Sequence, residues 1–164
     1  MQESLLDFGA AGKGYLVDLL AELLLEHGVD NFVIDAGGDI RQHTNEHQGR
    51  TIVALENPHN PMEAIGSVSL HNGSICGSAP NRRQWGEWHH IIDPHSLQPT
   101  RDKAATWAIV ADTERYPTML ADGLATALFF VSSSRLTDFD FDYLVVKADN
   151  SYSISKNLPC TIYV

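Results

Sequence analysis

Two oxygen-bearing side chains, Asp122 and Thr126, lie four residues apart in the segment 121–127. In a helix this spacing places them on one face, one turn from each other. A carboxylate and a hydroxyl are hard oxygen donors of the kind that Mg²⁺ accepts, together with phosphate oxygens and water. A capping or solvated Asp and a Thr bonded to the preceding turn produce the same spacing. The pair alone is therefore a weak indication of a metal site.

A glycine-rich segment, Asp7–Tyr15, carries Lys13 directly before a leucine-rich stretch. Glycines let backbone N–H groups approach an anion closely, and a helix N-terminus favours phosphate. The spacing does not match a Walker A motif, and no strand precedes the segment as in a dinucleotide-binding fingerprint. The segment is thus either a phosphate-binding turn or an ordinary glycine-rich turn before a helix.

Two further segments place polar residues at the ends of predicted strands. Asp39 follows two glycines, which indicates either close approach to a ligand or a tight turn with an exposed Asp39. His90 and Asp93 flank the end of another strand, and histidine is the side chain most easily set for proton transfer near neutral pH. A hydrogen-bonded structural histidine fits the same pattern.

The hydrophobic pattern predicts the elements that position these residues. Helices are predicted at about 13–27 and 118–131, the second starting near Pro117. The first has acidic residues on one face and, on the opposite face, a stripe formed by Leu16, Leu19, Leu20, Leu23 and Leu24. Strands are predicted at 31–36 (buried), 51–56, 88–93, 104–111, 143–147 and 160–164, with a hairpin joining 65–70 to 74–77. This order indicates an α+β fold with largely antiparallel sheets and two main helices.

The composition indicates one globular domain of 164 residues with a net charge of −10. Nucleic-acid binding is not expected, because Lys and Arg residues are not clustered. An acidic protein that handles phosphates needs a metal ion or helix N-termini to do so. Cys76 and Cys160 are far apart and outside any C-x-x-C motif, which favours two buried free thiols. The N-terminal segment has no export signal, so the chain as given would be cytoplasmic, and its compartment stays open.

Taken in order, the segments resemble one family, the FAD:protein FMN transferases, also called ApbE-like or thiamine-biosynthesis-lipoprotein-like proteins. The residues that carry the resemblance are 7–18, 35–41, 90–96 and 121–127. Enzymes of that family transfer FMN from FAD to a threonine hydroxyl of a target protein, release AMP and require Mg²⁺. The resemblance implies FAD as substrate, Mg²⁺ as metal, and an acceptor protein of the kind found in membrane redox complexes.

The resemblance also implies roles for individual residues. The implied metal ligands are the backbone carbonyl of Ala10 and the side chains of Asp122 and Thr126. The implied flavin-nucleotide contacts are Asp7, Lys13, Asp39 and Ser96, while His90, with Asp93 as the alternative, would take the proton of the threonine hydroxyl.

The resemblance implies an ApbE-like (T-fold-like) core that lacks the family's N-terminal half, with residues 1–164 as a single domain. Open sheet edges would then be covered by a homodimer or by a complementing N-terminal half. Family members are typically exported to the periplasm or anchored to the membrane, so the resemblance and the missing signal leave the compartment open.

Two segments depart from the family pattern. The family usually has Thr-Ser-Gly followed by an acidic and an aromatic residue where this chain has the segment around Cys76–Gly77, and it has a Thr-Gly pair where this chain has Ser96–Leu97. These departures leave two alternatives to the transferase. One is a non-catalytic, flavin-binding or subunit-like remnant, and the other is a FAD pyrophosphatase that yields FMN and AMP.

Overall fold

Three layers make up the structure, a computed structural model that describes residues 8–47 and 49–163. Helices α1 (Gly12–Glu26) and α2 (Pro117–Ala127) form the first layer. The strands in chain order are β1 (Phe32–Asp35), β2 (Ile40–His43), β3 (Thr51–Asn57), β4 (Asn60–Leu70), β5 (Gly73–Ser78), β6 (Gln84–Trp85), β7 (Trp88–His89), β8 (Ile92–Asp93), β9 (Gln98–Pro99), β10 (Lys103–Ala111), β11 (Asp142–Lys147), β12 (Tyr152–Ile154) and β13 (Cys160–Ile162).

The strands of the described residues form four sheets, and within each of them neighbouring strands are antiparallel. A six-stranded sheet has the order β1-β2-β5-β10-β11-β12, and a three-stranded sheet has the order β13-β4-β3. Strands β6 and β7, and strands β8 and β9, form two short ribbons. The predicted α+β class, with antiparallel sheets and two main helices, is confirmed.

Alternate residues of the central strands enter two separate cores. On one face of the six-stranded sheet, Cys76, Ala108 and Val110 pack against α2. On the other face, Ile75 and Leu144 pack against residues of the three-stranded sheet. The central sheet therefore lies between the helices and the second sheet, and a ligand at its strand ends can reach both sides.

The predicted hairpin between 65–70 and 74–77 is wrong. Strand β4 pairs with β3 and β13, whereas β5 pairs with β2 and β10 in the other sheet. The connecting residue Asn72 has a φ of 44°, a left-handed conformation that asparagine tolerates in turns. Because the strand pattern repeats every two residues in either arrangement, it does not distinguish a hairpin from a crossing between sheets.

Helix α1 occupies the predicted range, but its leucine stripe is not the buried face. Leu16 is 58% exposed and Leu23 is 50% exposed, whereas Val17, Asp18 and Ala21 are buried. The buried face consists of small residues and one acid because α1 packs closely against α2. Strand β1 also differs from the prediction. The sequence predicts that it is buried, but it lies at the edge of the sheet and its Val33 is 52% exposed.

Two other elements differ from the prediction in their boundaries. Helix α2 ends at Ala127, and the chain continues in tight turns in which the Phe129 amide donates to the Thr126 carbonyl. The predicted strand 88–93 divides into β7 and β8. Within the described residues, no helix is both long enough and apolar enough to span a membrane.

Candidate active site

A cavity of about 930 Å³ opens at the end of the six-stranded sheet where β1 and β5 end and β2 and β10 begin. This size is within the range of about 300–1,000 Å³ that is usual for small-molecule sites. On the helix side, Lys13, Asp122 and Thr126 line the cavity, and between the sheets Val53, Ile75 and Trp107 line it. The helix side is therefore charged, and the part between the sheets includes apolar side chains, while Glu56, Arg82 and Arg83 also line the cavity.

Asp122 lies on the buried face of α2 and contacts the beginning of α1. Its Oδ2 accepts a hydrogen bond of 3.1 Å from the backbone N–H of Gly14. Burial of the carboxyl group is the main cause that raises the pKa of Asp122 from 3.8 to about 6, and the nearby charge of Asp39 is the second. The ionised carboxylate is thus held in a place where a cation would stabilise it.

The other two predicted metal ligands lie close to Asp122. The Thr126 hydroxyl, one helical turn further along α2, shares a 3.0 Å hydrogen bond with the Ser78 hydroxyl. The carbonyl oxygen of Ala10 is 3.9 Å from the point that a Cβ on Gly123 would occupy. Both Ala10 and Thr126 line the cavity together with Asp122. The structure therefore brings these three residues together.

The oxygen donors of Ala10, Asp122 and Thr126 suit a hard cation that also binds phosphate groups of a substrate. Among residues 8–47 and 49–163, no group of three His, Cys, Asp or Glu side chains is arranged to hold a metal ion. The available donors are a carboxylate, a hydroxyl and a backbone carbonyl, which are too few to complete a coordination shell. Mg²⁺ is usually bound in this way, with phosphate oxygens and water completing its octahedron.

Lys13 faces the cavity and is held there by Asp39. The Lys13 Nζ lies 2.8 Å from Asp39 Oδ2 and donates to the Ala36 carbonyl oxygen at 3.1 Å. Asp39 is only 1% exposed, so the alternative of an exposed turn residue is wrong. The contact between Lys13 Nζ and Asp39 Oδ2 is therefore an ion pair with a buried carboxylate. Asp39 itself is not among the residues that line the cavity.

The adjacent histidines have different environments. His89 is buried, its Nε2 bonds to the Thr100 carbonyl at 2.7 Å, and its Nδ1 accepts from the Ile91 amide. His90 lines the cavity, and partial burial lowers its pKa below 6.5. If its Nδ1 carries the proton and donates to the Arg83 carbonyl at 3.4 Å, Nε2 is left to accept another.

Asp93 and Ser96 contact each other rather than the cavity. The Asp93 carboxylate accepts hydrogen bonds from the His95 amide and the Ser96 hydroxyl, each at 2.9 Å, and these bonds lower its pKa. Leu97, where the resemblance implies a glycine, has a φ of 56°. The roles predicted for Asp93 and Ser96 remain predictions, and Asp7 lies outside the described residues.

A buried ionic network that the sequence reasoning missed fixes the start of α2. The Asp18 carboxylate accepts hydrogen bonds from the amides of Thr118 at 3.1 Å and Met119 at 2.8 Å. Arg41 forms salt bridges with Asp18 at 2.7 Å and Asp112 at 2.6 Å. The available signal was the spacing of Gly14 and Asp18, which places both residues on one face of α1.

Solved structures share this fold. An ApbE protein of Thermotoga maritima has a TM-score of 0.80 and 21% identity, with the match covering 92% of this chain and 51% of that one. A flavin transferase ApbE of Vibrio cholerae, solved as a histidine-to-glycine mutant, has a TM-score of 0.65 and 21% identity, over 92% and 47% of the two chains. The ApbE family model matches residues 1–140, so the chain belongs to the ApbE family.

Curated relatives carry the name FAD:protein FMN transferase. The relative from Haemophilus influenzae is 28% identical over 160 residues, which is 89% of this chain and 44% of that protein. One from Klebsiella pneumoniae is 30% identical over 111 residues, which is 65% of this chain and 34% of that protein. The chain thus spans less than half the length of these two relatives.

Proposed function

We propose that this chain takes part in the Mg²⁺-dependent transfer of FMN from FAD to a threonine hydroxyl of a target protein, with release of AMP. The observation that carries the proposal is the meeting of Ala10, Asp122 and Thr126 with Lys13 and His90 in one cavity. The name shared by the curated relatives supports the coarser part of this proposal, the transfer of FMN from FAD to a protein. Residues 1–164 would form one domain, the C-terminal part of such a transferase.

The charged end of the cavity would bind the pyrophosphate of FAD. Ala10, Asp122 and Thr126 would hold Mg²⁺, which supplies charge neutralisation at phosphate oxygens when bound. Lys13 adds a second positive charge, and its ionic contact with Asp39 restricts where that charge can lie. These groups stabilise the negative charge that develops during transfer, because they are fixed before the reaction begins.

His90 is the residue we assign to the proton. The threonine oxygen of the target forms a bond to the FMN-side phosphorus, and its proton moves to Nε2 of His90. The bond from that phosphorus to the bridging oxygen breaks, and AMP leaves with the electron pair. Asp93 is the weaker candidate for this role, because its carboxylate already accepts bonds from His95 and Ser96.

The acceptor would be a protein of the kind found in membrane redox complexes, with a threonine that reaches the cavity mouth. A second copy of the chain or a complementing N-terminal half would cover the open sheet edges. The chain matches 44% of the Haemophilus influenzae protein, so that relative contains a further part to which a complementing half would correspond.

Covalent labelling tests the transferase directly. The chain is incubated with FAD, Mg²⁺ and a candidate acceptor, and flavin fluorescence of the acceptor is measured after denaturing electrophoresis. We expect a fluorescent acceptor band, its loss with Asp122→Ala, and its retention with Asp138→Ala, a matched change at an exposed Asp. An unlabelled acceptor despite FAD binding would overturn the transferase.

One observation favours a second candidate, a flavin-nucleotide-binding chain that does not catalyse transfer. Ser96 donates its hydroxyl to Asp93, and neither residue is among those that line the cavity. FAD binding without labelling of any acceptor would support this candidate. Release of AMP from FAD in the absence of an acceptor would instead indicate a pyrophosphatase.

A further inference from the structure

An indole ring lies over a glycine in the wall of the cavity. Trp107 on β10 and Gly77 on β5 are directly opposite each other in the sheet. A Cβ placed on Gly77 would be 2.8 Å from the indole Nε1 and 3.0 Å from Cδ1. The ring therefore occupies the space that any larger residue at position 77 would need.

The half-buried indole is held from one side and open on the other. It packs against the core between the two sheets, and it also lines the cavity. The ring thus combines a fixed orientation with a surface that faces the cavity, which are the features of a stacking site for a flat ligand.

The position of the indole relative to the charged groups indicates what the ligand must contain. Lys13, Asp122 and Thr126 lie on the helix side of the sheet end, whereas Trp107, Val53 and Ile75 lie between the sheets. A molecule with phosphate groups joined by a short linker to a planar ring fits both parts of the cavity.

We propose that Trp107 is the stacking surface for a planar heteroaromatic ring of the dinucleotide, and that Gly77 is required to leave space for it. This inference rests on the proposed function and adds a residue that determines nucleotide affinity. Either ring of FAD, the isoalloxazine or the adenine, has the chemistry that an indole can stack upon.

Binding of FAD, FMN and AMP, each with Mg²⁺, is measured by equilibrium dialysis without any acceptor. The change Trp107→Ala should weaken FAD binding roughly 5- to 150-fold, as expected for the loss of one base–aromatic stack. Trp107→Phe keeps an aromatic ring, so its loss of FAD affinity should be smaller than that of Trp107→Ala. Gly77→Ala leaves residue 107 unchanged but should also weaken FAD binding, because the new Cβ displaces the indole.

A matched control separates stacking from loss of folding. Ile109→Ala removes a side chain from the same face of the same strand and from the same core, but Ile109 does not line this cavity. It should lower the melting temperature and leave nucleotide affinity unchanged. Comparison of FMN with AMP then assigns the ring, because only the half that stacks on Trp107 should lose affinity.

Weaker binding in Trp107→Ala and Gly77→Ala, but not in Ile109→Ala, would support the inference even if no acceptor is ever labelled. Wild-type affinity of Trp107→Ala for all three nucleotides would overturn it. Normal labelling of an acceptor by Trp107→Ala at an unchanged KM for FAD would also overturn it, while leaving the proposed transfer intact.

Discussion

The backbone N–H of Gly14 donates a 3.1 Å hydrogen bond to the carboxylate of Asp122, a residue 108 positions later in the chain. The two helices approach closely at this point, since a Cβ on Gly14 would lie 2.4 Å from the Thr118 carbonyl oxygen. The position of a candidate metal ligand on α2 therefore depends on the absence of a side chain on α1.

The change Gly14→Ala should force the two helices apart. We expect a loss of roughly 1–3 kcal/mol in the free energy of unfolding, as for other overpacked sites. Mg²⁺ binding should weaken as well, because Asp122 loses its fixed position. Urea denaturation and titration with Mg²⁺ in the presence of FAD measure the two effects.

Gly12→Ala is the control for Gly14→Ala, because it adds the same methyl group to the same helix. A Cβ on Gly12 meets no atom within 4 Å. Its free energy of unfolding should stay constant or rise by up to about 1 kcal/mol, since alanine is less flexible than glycine. Equal stability of the two variants would contradict the close helix contact.

Removal of the Asp18 carboxylate should destabilise the whole fold. Asp18→Ala leaves the buried Arg41 with one fewer partner and frees the first amides of α2. Loss of one member of a buried ion pair costs about 3–5 kcal/mol. Glu26→Ala, on an exposed position of the same helix, should change the free energy of unfolding by less than about 0.5 kcal/mol. Similar urea midpoints for both variants would disprove the anchoring role of Asp18.

Elements with strong local patterns could be predicted from the sequence, and contacts between distant segments could not. The spacing of Asp122 and Thr126 predicted that they would lie together, because both are on one helix. The salt bridge of Asp39 with Lys13 joins separate elements, so no local pattern predicts it. Strand β2 was missed because three of its four residues are polar and its pairing, rather than its hydrophobicity, defines it.

The leucine stripe shows why hydrophobic periodicity alone misplaced the core of α1. Four leucines of the stripe remain exposed, while Val17 and Ala21 are buried against the rest of the fold. Small residues allow two helices to approach, and this requirement decides the buried face here. The adjacent histidines are a second case in which a local pattern is not enough. Alternation along a strand predicts that His89 and His90 point to opposite faces, but it does not predict which of the two faces a ligand.

The raised pKa of Asp122 predicts a pH-dependent stability in the absence of divalent cations. Since the folded state holds this proton more tightly, the free energy of unfolding should fall as pH rises from about 3.8 through about 6. Asp122→Asn keeps an oxygen to accept the Gly14 N–H but has no charge to titrate. Denaturation at a series of pH values should show a weaker fall in the variant. Parallel curves for wild type and variant would contradict the assigned pKa.

The role of His90 predicts a pH profile for transfer. Burial lowers its pKa below 6.5, so kcat/KM should rise with pH and level off near neutrality as the ring loses its proton. His90→Gln should lower kcat by about 10²- to 10⁴-fold, the usual contribution of a general base. His47→Gln, at an exposed position away from the cavity, is the control. An unchanged kcat in His90→Gln would assign the proton to another group.

The most direct test of the candidate site is calorimetric titration of the chain with FAD, with and without Mg²⁺, for wild type and for Asp122→Asn. If Asp122, Thr126 and the Ala10 carbonyl hold a cation that contacts the pyrophosphate, Mg²⁺ should tighten FAD binding to the wild type. The variant should lose that tightening, and Asp138→Asn should retain it. FAD binding to the wild type that is the same with and without Mg²⁺ would contradict the metal site.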